Sequence, residues 1–282
     1  MKSFCEKVFS PPSSFCPVYI FKNNQRDRVK RIFILLLSLF FSTCAFSSSL
    51  RIKVTKVIDG DTVKLENGQF LRYIGIDTPE IEIKKNSQFV YQPQLFSLPA
   101  KEFNKKLVEG KLVRIEFDVE KVDSYGRLLG YCFVGDTFVN AELLKKGYAI
   151  LYTRPPNIKY VDLFVKLQKE AREKKKGIWG ALKPISSDEA YKFIHQIKTV
   201  RGKVVDTYQS KRCIFLNFGK DYTTDFTVVI FKDSWKYFKE RNINPLTFYK
   251  GKLIEVTGKL REYNGPEIIV HFPEEINIVG SR

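Results

Sequence analysis

The stretch TVKLENGQFLRYIGI, residues 62–76, constrains the fold of this chain more than any other. Asn67-Gly68 lies between the two strand-like segments TVKL and FLRYIGI. An Asn-Gly pair in this setting is a strong short-range signal of a β-hairpin, because both residues accept the positive φ that tight hairpin turns need. The first folded unit should therefore begin as an antiparallel sheet.

Helices and further strands are predicted after this hairpin. Pro99 can begin a helix through AKEFNKKLVEG that ends near Gly110, Asn140 can cap a short helix AELLKK that ends at Gly147, and VDLFVKLQKEAREKKKG has the pattern of a longer amphipathic helix. The strands LVRIEFD and RLLGYCFV fall between the first two helices. The pattern predicts an α+β, mostly β, domain over residues 50–182.

A second unit is predicted after a linker at residues 183–188. Residues 189–282 contain five strand-like segments, TVRGKVVDTY, CIFLNF, DFTVVIF, KLIEVTGKL and PEIIVHF, with the helical segment DSWKYFKER between the third and fourth. Five strands with a helix at that place indicate a second, OB-like β-barrel, a fold that often holds single-stranded nucleic acid or oligosaccharide. The alternative is a barrel that only packs on the first domain.

The charge of the chain favours a polyanionic partner. It has 48 Lys and Arg against 31 Asp and Glu, a net charge of +17. This excess suits nucleic acid or an anionic membrane surface, and charge alone does not choose between them.

The N-terminus has the pattern of a secretory signal. Basic residues between Arg26 and Arg31 precede the apolar run IFILLLSLFF, and the small residues of STCAFSSS follow it. The run is shorter than the roughly 20 residues that a membrane-spanning helix needs. We expect residues 1–46 to be a signal peptide and the protein to be secreted or periplasmic, or membrane-anchored if this hydrophobic segment stays uncleaved. Removing its seven basic and two acidic residues leaves a net charge of +12.

Acidic residues collect around the predicted hairpin despite the basic composition. Asp59 and Asp61 are separated by one glycine in IDGDT, and Asp77 ends the next predicted strand. Carboxylate oxygens alone suit a hard cation such as Ca²⁺ or Mg²⁺ better than zinc or copper. Taken alone, DGD would be an ordinary acidic turn.

Two arginines, together with the acidic cluster, indicate which reaction the site could catalyse. Arg72 lies within the hairpin region, and Arg127 lies in DSYGRLLGY, a second turn before a strand. Hydrolysis of a phosphodiester builds negative charge on phosphoryl oxygens, which a cation and guanidinium groups can stabilise, while a carboxylate orients or deprotonates water. The cluster is therefore a candidate phosphodiesterase site.

Four segments, VIDGDTV, LRYIGIDTPE, DSYGRLLGY and the helix ending KKGIW, together resemble the thermonuclease (staphylococcal nuclease-like) family over residues 51–180. The resemblance implies an OB-type five-stranded barrel with three helices. It also implies that Asp61, Asp77 and the carbonyl of Thr78 bind Ca²⁺, with Asp59 in the outer shell.

The resemblance assigns the substrate-side residues as well. Glu80 falls on the general-base position, Arg72 and Arg127 on the two phosphate-binding positions, and Tyr125 and Tyr152 near nucleotide-contacting tyrosines. Ser124 stands where some members carry a lysine that helps to hold a terminal phosphate. The expected protein is an exported, monomeric, Ca²⁺-dependent nuclease acting on DNA and/or RNA, with no stable membrane partner after cleavage.

Two other functions agree less well with these residues. A nuclease-like module that only binds nucleic acid should lack one or more of Arg72, Glu80 and Arg127, and all three are present. A histidine-based hydrolase has little support, because His195 and His271 both lie in the second unit. If that unit binds substrate, we expect Lys203, Lys211, Arg212 and Lys259 to contact phosphates and Tyr208 or Phe218 to stack on bases.

Overall fold

The predicted hairpin is present in the computed structural model, which describes residues 49–85 and 88–280. Thr62–Leu65 and Phe70–Tyr73 pair antiparallel. Gly68 lies in the connecting turn with φ of 86°, a conformation that glycine adopts without the strain of a Cβ atom.

The first barrel closes through five strands. In chain order its strands are β1 (Ser49–Val57), β2 (Thr62–Leu65), β3 (Phe70–Tyr73), β4 (Gly75–Asp77), β5 (Glu82–Lys85), β6 (Gln88–Tyr91), β7 (Leu112–Glu116), β8 (Leu128–Val134), β9 (Thr137–Phe138) and β10 (Ile150–Tyr152). β1 pairs antiparallel with β2 and β7, β7 pairs antiparallel with β8, and β3 pairs antiparallel with β2 and parallel with β8. β1, β2, β3, β8 and β7 therefore form a closed ring, as an OB-type barrel requires.

Helices cover this barrel. They are α1 (Ser97–Val108), α2 (Val139–Lys146), α3 (Val161–Glu173) and the single turn α4 (Ile178–Ala181). Gly147 ends α2 with φ of 71°, as predicted. The predicted N-cap role of Asn140 is wrong: α2 begins at Val139, two residues before the predicted start, and buried Asn140 instead accepts from Cys132 N–H and donates to the Ile74 carbonyl. Asn140 thus satisfies buried backbone groups of the sheet.

The second β unit, which we call the second barrel, is built from two main sheets. Its strands are β11 (Ile185–Ser186), β12 (Ile197–Lys203), β13 (Asp206–Gln209), β14 (Cys213–Asn217), β15 (Thr227–Phe231), β16 (Leu253–Lys259), β17 (Arg261–Glu262), β18 (Pro266–Ile269) and β19 (Ile276–Ile278), and its α-helices are α5 (Trp235–Glu240) and α6 (Pro245–Phe248). 3-10 helices cover Ser187–Phe193, Lys232–Ser234 and Pro273–Glu275.

Part of its pairing matches that of the first barrel. β12 pairs antiparallel with β16, as β1 does with β7, and β15 pairs parallel with β18, as β3 does with β8. α1 in the first barrel, and α5 and α6 in the second, follow the third main strand. The fold is therefore α+β, mostly β, with an OB-type barrel followed by a second β unit of partly similar pairing. Residues 183–188, predicted as a linker, contain β11, which pairs with β12.

The described residues of both barrels belong to one compact unit. Within it, Cys132 and Cys213 are buried free thiols, as expected. In this part of the chain no helix is both long and apolar enough to cross a membrane. The predicted signal segment, residues 1–46, lies outside the described residues.

A buried histidine makes the stability of the second barrel sensitive to pH. His271 is 6% exposed, and its Nδ1 lies 3.0 Å from Ser234 Oγ. Burial, reinforced by the charges of Arg154 and Arg261, lowers the pKa of His271 to about 4. The pKa of His271 is lower in the folded protein than in the unfolded chain. At pH values above the unfolded pKa, His271 therefore does not affect stability. As the pH falls below the unfolded pKa, protonation of the unfolded chain lowers the stability of the fold.

We therefore expect the free energy of unfolding to fall by about 2 kcal/mol more between pH 7 and pH 5 in the wild type than in His271→Asn. Asparagine retains polar groups for Ser234 and does not titrate. Urea denaturation at both pH values measures the difference. Parallel pH dependence in the two proteins would contradict a titrating His271.

Candidate active site

The loop between β1 and β2 holds the first two acidic residues close to the end of β4. The Asp61 N–H donates to Asp59 Oδ1 at 3.0 Å. A Cβ atom on Gly60 would lie 2.7 Å from the Thr78 side chain and 2.8 Å from Ala100 Cβ, closer than such atoms normally approach. Glycine is therefore required between the two aspartates, because any side chain would push Thr78 away.

Asp61 and Thr78 join this loop to β4. The backbone N–H and the hydroxyl of Thr78 both donate to Asp61 Oδ2, at 2.7 and 2.9 Å. Asp61 is 4% exposed and Thr78 is 3% exposed. Asp77 precedes Thr78 and is also buried. The structure thus brings together the three residues predicted to hold a metal.

Arg72 bridges the two predicted carboxylate ligands. It lies on β3, and its guanidinium contacts Asp61 Oδ1 at 3.1 Å and Asp77 Oδ1 at 2.6 Å. The same group donates to the carbonyls of Tyr73 (3.1 Å) and Ile76 (2.9 Å). None of these contacts uses Nε. Arg72 is therefore held rigidly beside the acids, and part of its guanidinium remains available to another anion.

The acidic cluster carries more buried negative charge than Arg72 offsets. Burial, reinforced by the charge of Asp61, raises the pKa of Asp59 to about 7. Burial also raises the pKa of Asp77 to about 6, even though Arg72 opposes the shift. A bound divalent cation would stabilise the ionised forms of both groups.

The donor set fits a hard cation. Asp61, Asp77 and the Thr78 carbonyl offer oxygen atoms only, and water can complete the six to eight ligands of Ca²⁺. Across residues 49–85 and 88–280, no group of three or more His, Cys, Asp or Glu side chains is arranged to hold a metal ion. A site here would therefore depend on the backbone carbonyl and on water as well as on carboxylates.

Glu80, the predicted general base, contacts the second barrel. Lys259 at the end of β16 donates to Glu80 Oε1 at 2.6 Å. Burial alone would lower the pKa of Lys259, but Asp77 and Glu80 raise it, so this lysine stays charged. The backbone of Glu80 is fixed separately, because its carbonyl accepts from Gln94 N–H at 2.9 Å.

Arg127 is held by the turn that precedes β8. Asp123 Oδ1 accepts the N–H groups of Tyr125 (2.9 Å) and Arg127 (3.0 Å), and Asp123 Oδ2 accepts Arg127 Nε–H at 2.8 Å. Partial burial alone would raise the pKa of Asp123, but these bonds hold it below its usual value. Gly126 supplies the positive φ, 80°, of the turn.

The strand register brings the turn that holds Arg127 next to the strand that holds Arg72. β3 and β8 run parallel, and Arg72 lies opposite Leu129. Arg127 immediately precedes β8, which begins at Leu128. The two predicted phosphate-binding arginines therefore lie on one strand and at the start of its neighbour.

The two predicted nucleotide-contacting tyrosines have different surroundings. Tyr125 is 84% exposed, and its ring lies 5.5 Å from the Arg127 guanidinium carbon. Tyr152 is on β10, beside β4, and its hydroxyl accepts from Arg261 of the second barrel at 2.8 Å. Tyr125 is thus open to a base, whereas Tyr152 is tied to the second barrel.

The residues predicted to bind substrate in the second barrel differ in solvent exposure. Lys203, Lys211 and Arg212 are exposed, and Tyr208 is 61% exposed. The prediction that Phe218 stacks on bases is wrong, because Phe218 is buried in the barrel core against Phe226.

Sequence reasoning missed two polar residues behind the site. The Tyr73 hydroxyl donates to Asn104 Oδ1 at 3.0 Å, and Asn104 Nδ2 donates to the Asp59 carbonyl at 3.2 Å. Asn104 is fully buried on α1 and therefore positions the aspartate loop. In the sequence, Asn104 could have been identified as a polar residue on the apolar face of the predicted helix.

Comparisons with known proteins agree with this geometry. The family model described as staphylococcal nuclease homologue matches residues 70–181, which include Arg72, Asp77, Glu80 and Arg127. The thermonuclease of Staphylococcus intermedius is 42% identical over 129 residues, which cover 45% of this chain and 74% of the relative. The thermonuclease of Staphylococcus hyicus is 38% identical over 45% of this chain and 74% of the relative.

A relative from Bacillus subtilis matches the same share of the chain. Its endonuclease YncB is 39% identical over 135 residues, 46% of this chain and 62% of the relative. With the barrel topology and the arrangement of Arg72 between two aspartates, these matches establish the family. The chain belongs to the thermonuclease, or staphylococcal nuclease-like, family.

Proposed function

We propose that this protein is an exported, Ca²⁺-dependent endonuclease that hydrolyses phosphodiester bonds in DNA and RNA. The observation that carries the proposal is the arrangement of Arg72, which lies between the carboxylates of Asp61 and Asp77, close to the segment that bears Glu80. The names of the relatives, thermonuclease and endonuclease, support the same activity. The basic surface suits the substrate, because nucleic acid is a polyanion.

Asp61, Asp77 and the Thr78 carbonyl would hold the cation, with Asp59 in its outer shell. A bound Ca²⁺ would supply positive charge that stabilises the phosphoryl oxygens during hydrolysis. The Thr78 bonds to Asp61 fix one carboxylate, and Arg72 fixes the orientation of both. The site is thus organised before substrate binds, which reduces the reorganisation needed during the reaction.

The protein side chains would perform the remaining steps. Glu80 accepts a proton from the attacking water, as a positioned carboxylate can. Arg72 and Arg127 donate to the phosphoryl oxygens as negative charge builds on them. Tyr125, exposed beside Arg127, contacts a base, and Tyr152 on β10 is hydrogen-bonded to Arg261.

The cellular location is part of the proposal. The basic segment followed by IFILLLSLFF and small residues supports export through a cleaved signal. The protein would act as a monomer in a secreted or periplasmic location.

Glu80→Gln tests the function and separates it from contaminating nuclease activity. The change removes a general base with little change in shape, and such a loss lowers rates by about 10²- to 10⁴-fold. We expect the wild type to cleave single-stranded DNA and RNA in Ca²⁺ and the variant to show a kcat at least about 100-fold lower.

Glu66→Gln is the matched control, because Glu66 is an exposed acid of the same barrel that accepts from the Lys53 N–H. It should cleave like the wild type. Equal kcat values for Glu80→Gln and Glu66→Gln would remove Glu80 from the mechanism.

A further inference from the structure

Two cations of the second barrel reach the site of the first. Lys259 donates to Glu80 at 2.6 Å, and Arg261 donates to the Tyr152 hydroxyl at 2.8 Å. Both acceptors are residues to which the proposed mechanism assigns a role. The nuclease site is therefore bordered by positive groups that lie outside the region that resembles the family.

Packing between the barrels fixes these cations in place. Ile150, Ala171 and Trp179 of the first barrel share one buried apolar cluster with Ile197 of the second. A second cluster joins Val161 to Tyr237 and Phe272. Close to the first cluster, Arg172 contacts Glu255 of β16 at 3.1 Å. The position of Lys259 at the end of β16 thus follows from apolar packing as well as from its ion pair.

In both barrels, the segment between the fourth and fifth main strands lies at the site. In the first barrel, Tyr125 and Arg127 lie between β7 and β8. In the second, Lys259 ends β16 and Arg261 lies in β17, before the corresponding strand β18, and Tyr263 follows with 73% exposure. In OB folds the loop between the fourth and fifth strands commonly contacts oligonucleotides. Both connections therefore combine cations with an exposed tyrosine, as binding of a single strand requires.

We propose that Lys259 and Arg261 form a phosphate-binding subsite for the nucleic-acid strand next to the scissile phosphate. This rests on the proposed nuclease function. When the strand binds, the Lys259 ammonium exchanges Glu80 for a backbone phosphate, and the Glu80 carboxylate becomes available to water. Lysine suits such an exchange, because its charge sits on a flexible four-carbon stem. The ion pair between Lys259 and Glu80 thus keeps the ammonium group beside the site until substrate binds.

Kinetics on substrates of two lengths test the subsite. On a 12-nucleotide single-stranded thymidine oligomer, Lys259→Gln should raise KM by about tenfold or more, since a charge-assisted bond is lost, with kcat almost unchanged. On a dinucleotide with a single phosphodiester, which has no phosphate to draw Lys259 away from Glu80, the variant should lose no activity and should cleave at least as fast as the wild type. A higher kcat/KM for Lys259→Gln on the oligomer would overturn the proposal and identify Lys259 as an inhibitory block.

Lys250→Gln is the matched control. Lys250 lies on the same barrel and also contacts a carboxylate, Asp206, at 2.8 Å, but it precedes β16, whereas Lys259 ends it. The length of that strand separates the two lysines by roughly 20 Å. Point changes are preferable to removal of the second barrel, which would expose the shared clusters around Trp179 and Val161.

Equilibrium binding of the same oligomer, measured in chelator so that no cleavage occurs, tests the subsite without catalysis. Lys259→Gln should reduce the slope of log affinity against log salt by about 0.7, the value for one contact to a single strand. Glu80→Gln should tighten binding more when Lys259 is present than in a Lys259→Gln background, because it frees the lysine.

These outcomes separate the subsite from the nuclease function. If the wild type does not cleave, the proposed function fails, and the salt slope still decides the subsite. Equal salt slopes for Lys259→Gln and Lys250→Gln, or no coupling between Glu80 and Lys259, would overturn the subsite while leaving the nuclease function intact.

Discussion

Arg72→Ala and Arg127→Ala should each lower kcat by about 100- to 1,000-fold, the usual cost of removing one preorganised donor to a developing oxyanion. The two arginines differ in burial and in the number of carboxylates that they contact. Arg72 is held against two buried carboxylates, whereas Arg127 is partly exposed and, among the acids of the described residues, pairs with Asp123 alone. Arg72→Ala should therefore also destabilise the fold in the absence of metal, by about 3 to 5 kcal/mol, because it leaves buried charges unpaired.

Arg114→Ala is the control for these two changes. Arg114 lies on β7 of the same barrel, contacts Glu116 at 3.3 Å and lies over the Phe133 ring at 4.0 Å, away from the acidic cluster. Its kcat should remain at the wild-type value. Measurement of kcat on single-stranded DNA, with melting temperatures in parallel, distinguishes lost chemistry from lost folding. An unchanged kcat in either Arg72→Ala or Arg127→Ala would remove that arginine from the transition state.

Asp61→Asn should reduce cleavage to the rate seen in chelator. Asparagine can still accept from Thr78, so the loop should keep its shape while losing the charge that would hold the cation. Loss of metal-ion stabilisation, worth several kcal/mol, corresponds to a rate lower by about 1,000-fold or more. Asp136→Asn, a change at an exposed position between β8 and β9, should cleave like the wild type.

Calcium binding provides a second readout of Asp61→Asn. Isothermal titration of the wild type should show a Ca²⁺ site that weakens in Asp61→Asn and persists in Asp136→Asn. Equal Ca²⁺ affinity and equal cleavage in all three proteins would contradict the assignment of Asp61 as a metal ligand.

Much of the first barrel could be predicted because its signals are local. The Asn67-Gly68 turn, the glycine between Asp59 and Asp61, and the strand pattern before Asp77 each act within a few residues. Pairing of β2 with β3 then brings the acidic loop and Arg72 together, since Thr62 lies opposite Arg72. The family's motifs coincide with these local signals, which explains why Arg72 and the aspartates were predicted to belong to one site, although the contact of Arg72 with both Asp61 and Asp77 was not predicted.

The contributions of distant segments could not be read from local patterns. Lys259 is 179 positions from Glu80, and only the packing of one barrel on the other places it at the site. Asn140 resembles a helix cap in sequence but satisfies backbone groups of the sheet. Phe218 was predicted to be a stacking residue, yet the alternation of its strand buries it. In each case the tertiary contact, rather than the residue type, decides the role.

Cleavage of single-stranded DNA by the wild-type protein, first in chelator and then after addition of an excess of Ca²⁺, tests the central claim most directly. The account predicts background cleavage in chelator, full recovery with Ca²⁺ and weak recovery with Mg²⁺, whose strict octahedral geometry suits this oxygen site less well. Full cleavage in chelator would contradict it, because a metal held by Asp61, Asp77 and the Thr78 carbonyl would then have no part in the reaction.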